Sequence, residues 1–96
     1  MIVDDYGITI QLTVKDSSGV AIDISSASTK DIILVKPTGV SLTKSGSFVT
    51  DGTDGKLKYT TIAGDIDVVG QWRIRAHVVT ATYGRLTTYE TFLVDN

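Results

Sequence analysis

From Trp72 to Val79 the chain alternates with period two: Trp72, Ile74, Ala76 and Val78 fall on one side, and Arg73, Arg75, His77 and Val79 on the other. As a helix such a segment has no single apolar stripe; as a strand it has one flat apolar face, which a second layer must cover. The same rhythm occurs in GITIQLTV, where Ile8, Ile10, Leu12 and Val14 alternate with Thr9, Gln11 and Thr13. No stretch reads as an amphipathic helix, so the pattern predicts an all-β chain.

Turn chemistry divides the rest. DSSG (Asp16 to Gly19) supplies an aspartate able to bond its own backbone and a glycine free to take positive φ, and a short extended piece from Val20 to Ile24 is expected after it. SSAST (Ser25 to Thr29) reads as a polar crossing segment. The continuous apolar run in DIILVK (Asp31 to Lys36) predicts a central strand packed on both faces, ended by Lys36-Pro37-Thr38-Gly39 because Pro37 cannot donate to a ladder. VSLTK and SFVT are weaker strands divided near Ser45 and Gly46. DGTDG (Asp51 to Gly55) is the clearest hairpin signal and leads into a strand with Leu57 and Tyr59 on one face and Lys56 and Lys58 on the other.

ATYGR makes the last reversal, into a return strand from Leu86 to Val94. Phe92 and Val94 lie on one face of it and Tyr89, Thr91 and Leu93 on the other; with Trp72 opposite Val94 and Ile74 opposite Phe92, the apolar sets coincide. About seven to eight short strands with frequent turns and one central Trp predict an immunoglobulin-like antiparallel β-sandwich, in preference to a small barrel. At 96 residues a single domain, 1–96, is expected.

Composition excludes some functions. The chain has no cysteine, hence no disulfide and no thiolate metal ligand, and its net charge of -2 argues against a phosphate backbone as partner. The opening MIVDDYG carries acids where a secretory signal needs cations, and the longest aliphatic run, Ile32 to Val35, is too short for a membrane span. A soluble chain is expected, without a nucleic-acid or membrane partner.

GDIDVVGQW (Gly64 to Trp72) raises the question of an active site, since in extended chain Asp65 and Asp67 fall on the same side. As calcium ligands they lack the further oxygens at set spacing, although Asp51 and Asp54 could contribute from a neighbouring loop. As an acid pair they lack any sign of a pocket to tune them. The structural reading explains more: Ile66 and Val68 point inward, both aspartates stay in water, and Gly70 turns the backbone before Trp72 enters the core.

Other candidates are thinner. His77 is the only histidine, too few for a histidine-based triad or a two-histidine metal site, and no cofactor is expected. DGTDG lacks the Lys-Ser/Thr ending of a phosphate loop. Tyr6, Tyr59, Tyr83 and Tyr89 could stack sugars or fill a core. One strip suits a protein partner: Arg73, Arg75 and His77 share the outer face of the last hairpin with Tyr89, Thr91 and Leu93, and Arg and Tyr are enriched at interface hot spots. The alternative is a merely solvated sheet face.

Taken in order, KDSSGVAIDISSAS, ILVKPTGV, DGTDGKLKYTTIAGDID and VGQWRIRAHV resemble the immunoglobulin-like domain of tailed-bacteriophage virion proteins, of the kind found at the start of baseplate upper proteins. The features that carry the likeness are the strand and turn at Lys15 to Gly19, the DIS element at Asp23 to Ser25, the KP-x-G turn at Lys36 to Gly39 and the G-x-W segment at Gly70 to Trp72. The resemblance implies a non-catalytic structural role in a virion assembled in the bacterial cytoplasm. Its expected partners are capsid, neck, tail or baseplate subunits, or further copies of itself. A baseplate upper protein continues past the point matching Asn96, so the expectation here is a capsid decoration or cement subunit, or a neck, tail or baseplate adaptor. A carbohydrate- or cell-surface-binding module for host adsorption is the alternative.

Overall fold

The computed structural model describes residues 2–16, 18–87 and 89–96. Eight strands follow one another in the order β1 (Thr9–Thr13), β2 (Thr29–Val35), β3 (Ser41–Ser45), β4 (Ser47–Phe48), β5 (Lys56–Thr60), β6 (Gly70–Val79), β7 (Gly84–Leu86) and β8 (Glu90–Val94). They form two antiparallel sheets, one ordered β1-β5-β4 and the other β3-β2-β6-β7, with β8 also paired to β6. No helix among the described residues is long and apolar enough to cross a membrane. The architecture is the all-β sandwich that the alternation requires.

The inner faces carry the period-two residues. Leu12 and Val14 from the first strand region, Ile32 and Leu34 from β2, Leu57 from β5, Trp72, Ile74, Ala76 and Val78 from β6, and Val94 from β8 form one buried cluster with Ile24 and Ile66. Ile8 extends the pattern in sequence but is exposed. β2 is central, between β3 and β6. Its apolar run is covered unequally: Ile32 and Leu34 are buried in the core, and on the outer face Val35 is buried while Ile33 is only half-buried.

The turns are where the residues demand them. After β2, Gly39 takes φ 95° and its N–H donates to the Lys36 carbonyl, while Lys36 N–H donates to the Val40 carbonyl. Between β3 and β4 the chain changes sheets at Gly46, whose N–H bonds to the Lys30 carbonyl at 2.6 Å and whose Cα lies so near Ile32 that a Cβ would sit 3.1 Å from Cγ1. The DGTDG hairpin is closed by Asp51, which accepts from Thr53 N–H at 3.0 Å and from its hydroxyl at 2.7 Å.

The extended piece expected from Val20 to Ile24 forms no named strand; an isolated bridge joins Lys15 to Ala21. The Asp16 carboxylate accepts from Ser18 and Val20 N–H, which tightens the turn, and the chain then leaves its neighbour to give Ile24 N–H to Gly52. Ser17 of the DSSG sequence and Thr88 of the expected return strand lie outside the described residues.

The return strand is also two strands rather than one, and its register differs. Trp72 faces Phe92, Gly70 faces Val94 and Ile74 faces Glu90, a displacement of two residues that leaves the apolar faces together. From His77 to Ile74 β6 advances three residues, whereas from Leu86 to Glu90 the return chain advances four. Between these two pairs the return chain therefore has one residue more than β6. Thr87 ties the chain to β6 just after Leu86, giving its N–H to the Ala76 carbonyl at 3.0 Å and accepting Ala76 N–H on its hydroxyl at 2.9 Å.

Candidate protein-interaction surface

The two aspartates of GDIDVVGQW have different surroundings and different partners. Asp67 is exposed and pairs with Lys36 at 2.9 Å. Asp65 is 4 % exposed, which corrects the expectation that both stay in water. Burial is tolerated because its carboxylate accepts from the Tyr59 hydroxyl and from Ile62 N–H at 2.9 Å, and pairs with Lys44 at 3.1 Å. Tyr59 comes from β5 and Lys44 from β3, so Asp65 is a clasp between the sheets. The remaining corner is as expected: Ile66 is buried, Val68 packs on the core, and β6 starts at Gly70.

Burial alone raises the Asp65 carboxyl pKa, but the bonds from Tyr59, Ile62 and Lys44 and the Lys44 charge together hold it below the ordinary carboxylate value. Burial, the bond to Asp65 and its negative charge push the Tyr59 phenol up to about 12. The signs are opposite. Asp65 contributes stability present above its unfolded pKa of about 3.9 and lost as pH falls through its lower folded value; Tyr59 contributes stability present below about pH 10 and lost as pH rises through its folded value. Melting temperatures across pH should therefore fall at both extremes. Asp65→Asn should flatten the acid limb and cost about 1–3 kcal/mol at neutral pH, and Tyr59→Phe should flatten the alkaline limb. An unchanged acid limb in Asp65→Asn would remove the clasp as its cause.

Among the described residues no group of three or more His, Cys, Asp or Glu is placed to hold a metal ion. Asp51 and Asp54 are turned to the threonines of their own hairpin, Thr53 and Thr50. Three tyrosines have separate tasks: Tyr59 on Asp65, Tyr83 donating to the Asp23 carbonyl at 3.0 Å, and Tyr89 beneath two arginines. Tyr6 alone stands largely in solvent, at 67 %.

The outer strip is assembled. On β6, Arg73, Arg75 and His77 point away from the core because Trp72, Ile74, Ala76 and Val78 point into it. Thr91 pairs with Arg73 and Leu93 with Gln71, which places both on that same outer face. Tyr89 supplies the platform, with the Arg73 guanidinium 4.9 Å and the Arg75 guanidinium 4.4 Å from its ring centroid. Each such contact contributes roughly 0.5–1 kcal/mol at an exposed site and holds the cation in place. Neither arginine forms an ion pair among the described residues, and Arg75 Nε is buried there without a hydrogen-bond partner.

One member of the surface is invisible to simple alternation. Counting by twos from Phe92 and Val94 puts Leu86 on the inner face. The additional residue between the two pairs reverses that parity, so Leu86 stands opposite His77 and is 49 % exposed. With Leu93 at 57 % exposure, the surface has an exposed leucine at each end of the Arg73–Tyr89–Arg75 stack. Gln71, opposite Leu93, lies in the same row, and a shallow groove of about 310 Å³ beside it is lined by Lys36, Pro37, Gln71, Arg73 and Thr91. Arg and Tyr, the residue types at the centre of this face, are among those enriched at protein interfaces.

The architecture defines the class of the protein as a two-sheet β-sandwich with a cationic and aromatic outer face. Compared with known proteins, the chain matches no protein-family model and no curated sequence.

Proposed function

We propose that this protein is a non-catalytic structural subunit of a tailed-bacteriophage virion, a small sandwich that attaches to neighbouring subunits by the outer face of its larger sheet. The observation that carries the adhesive part is the pair of guanidiniums stacked on Tyr89 with exposed leucines on either side. The stack is ordered before any partner arrives, so little side-chain entropy is lost on docking. With no carboxylate paired to them among the described residues, the arginines suit a partner that presents Asp or Glu.

The virion part is supported by the ordered set of motifs resembling phage immunoglobulin-like domains. Two of these motifs meet in space, since the KP-x-G turn packs its Pro37 ring against Gly70 of the G-x-W segment. Particles of the encoding phage should contain the chain at a fixed copy number, measured by quantitative peptide mass spectrometry against the major capsid protein. Hundreds of copies would mean a capsid decoration subunit, and a few to a few dozen a neck, tail or baseplate adaptor. Absence from the particle would defeat the proposal and favour a free glycan-binding module.

Arg75→Glu tests the surface. It should reduce occupancy on the particle by roughly tenfold or more, the scale of an arginine hot spot, while leaving the melting temperature within a few degrees. Full occupancy by the variant would exclude this face.

A further inference from the structure

A second surface lies on the other sheet, independent of the arginine stack. β1 is the end strand of the order β1-β5-β4 and has one neighbour. The hydrogen bonds that continue its ladder, Val14 N–H to the Gly55 carbonyl and Thr61 N–H to the Ile8 carbonyl, belong to even-numbered residues of this segment. In an antiparallel pair the bonded residues alternate, so Thr9, Gln11 and Thr13 turn their N–H and C=O groups away from β5.

This edge is unguarded. Natural edges are blunted by charges, prolines or bulges. β3 carries Lys44 and β8 carries Glu90, whereas β1, TIQLT, has no charge and no proline. The flank beside it is open too. On the far side the chain closes the sandwich by crossing from β3 to β4 at Gly46; between β1 and β7 it leaves a cleft of about 410 Å³ lined by Leu12, Thr13, Lys15, Arg85, Leu86 and Thr87 among others.

The sequence of the edge is its own complement. Read antiparallel about Gln11, Thr9 meets Thr13, Ile10 meets Leu12 and Gln11 meets Gln11, so like faces coincide. The residues that coincide with outward main-chain groups are Thr9, Gln11 and Thr13, the ones such a pair must bond. We infer that β1 pairs with β1 of a second copy across a two-fold axis at Gln11, joining two three-stranded sheets into one of six. Roughly six main-chain hydrogen bonds form across the axis, and Ile10, half-buried in one copy, is covered by Leu12 of the other.

Sedimentation velocity over a dilution series tests this. The wild type should be a dimer at high micromolar concentration and dissociate on dilution. Gln11→Pro should be a monomer throughout with an unchanged circular dichroism spectrum, because the N–H it removes is unused within the subunit. Amide exchange of Thr9, Gln11 and Thr13 in the wild type should slow as the dimer forms, a readout that does not depend on the variant folding. A wild type that stays monomeric at millimolar concentration, a dimeric Gln11→Pro, or exchange at these amides independent of concentration would each overturn the inference. Arg75→Glu should dimerise like the wild type, so failure of the arginine surface and failure of the β1 edge are separately visible.

Discussion

Trp72→Ala should lower the melting temperature by roughly 15 °C or more and leave a substantial unfolded population at 37 °C. Trp72 is fully buried at the centre of the cluster and stacks on Phe92 with ring centroids 5.8 Å apart and planes inclined by 26°. Its removal costs the transfer of a large apolar surface plus the cavity left behind, about 3–5 kcal/mol. A domain of this size has a total stability on the order of 5–15 kcal/mol, and each kcal/mol shifts the melting point by about 4–8 °C. The variant has no tryptophan left, so unfolding is followed by calorimetry or circular dichroism. Trp72→Phe separates packing from hydrogen bonding. It keeps most of the ring volume but loses the indole N–H, which donates to the Val68 carbonyl at 2.9 Å, and should cost about 1–3 kcal/mol. If alanine and phenylalanine cost the same, the hydrogen bond outweighs the packing and this account is wrong.

Gly70→Ala should be the next most damaging change, by about 2–4 kcal/mol, although it adds a single methyl group. Two effects combine. Gly70 has φ 135°, a conformation that side-chain-bearing residues adopt only at a cost of about 1–3 kcal/mol. A Cβ there would also lie 2.8 Å from Pro37 Cγ and 3.1 Å from its Cβ, inside contact distance. The two contributions come apart in a double-mutant cycle measured by denaturant unfolding. Pro37→Ala should restore the steric part in the Gly70→Ala background and leave the backbone part. Full additivity of the two substitutions would mean that the Pro37 contact contributes nothing.

The strip and the corner differ in how legible they were from residues alone. Strand identity, the inner set of β6, the turn at Pro37 and Gly39, and the grouping of Arg73, Arg75 and His77 follow from alternation and turn chemistry, which act within a few residues of the chain. Tyr89, Thr91 and Leu93 joined them on the outer face even though the expected register was two residues out, because side chains repeat with period two and an even displacement changes partners without changing faces. Leu86 could not be placed by that rule, because its register with His77 differs in parity from that of β8 with β6, and Thr87 bonds to Ala76 across the hairpin.

Asp65 shows the limit most plainly. Its neighbours in sequence make it look like a surface residue of a polar turn, and the groups that allow its burial, Tyr59 and Lys44, arrive from two different strands. Sequence by itself determined an all-β chain, its main turns, and which side of β6 faces inward, since these follow from local stereochemistry and the need to bury apolar faces. Tertiary structure alone decided the pairing register, the change of parity that exposes Leu86, the stacking of two arginines on one ring and the burial of a carboxylate. Each of these rests on the balance of desolvation against contacts between residues far apart in the chain.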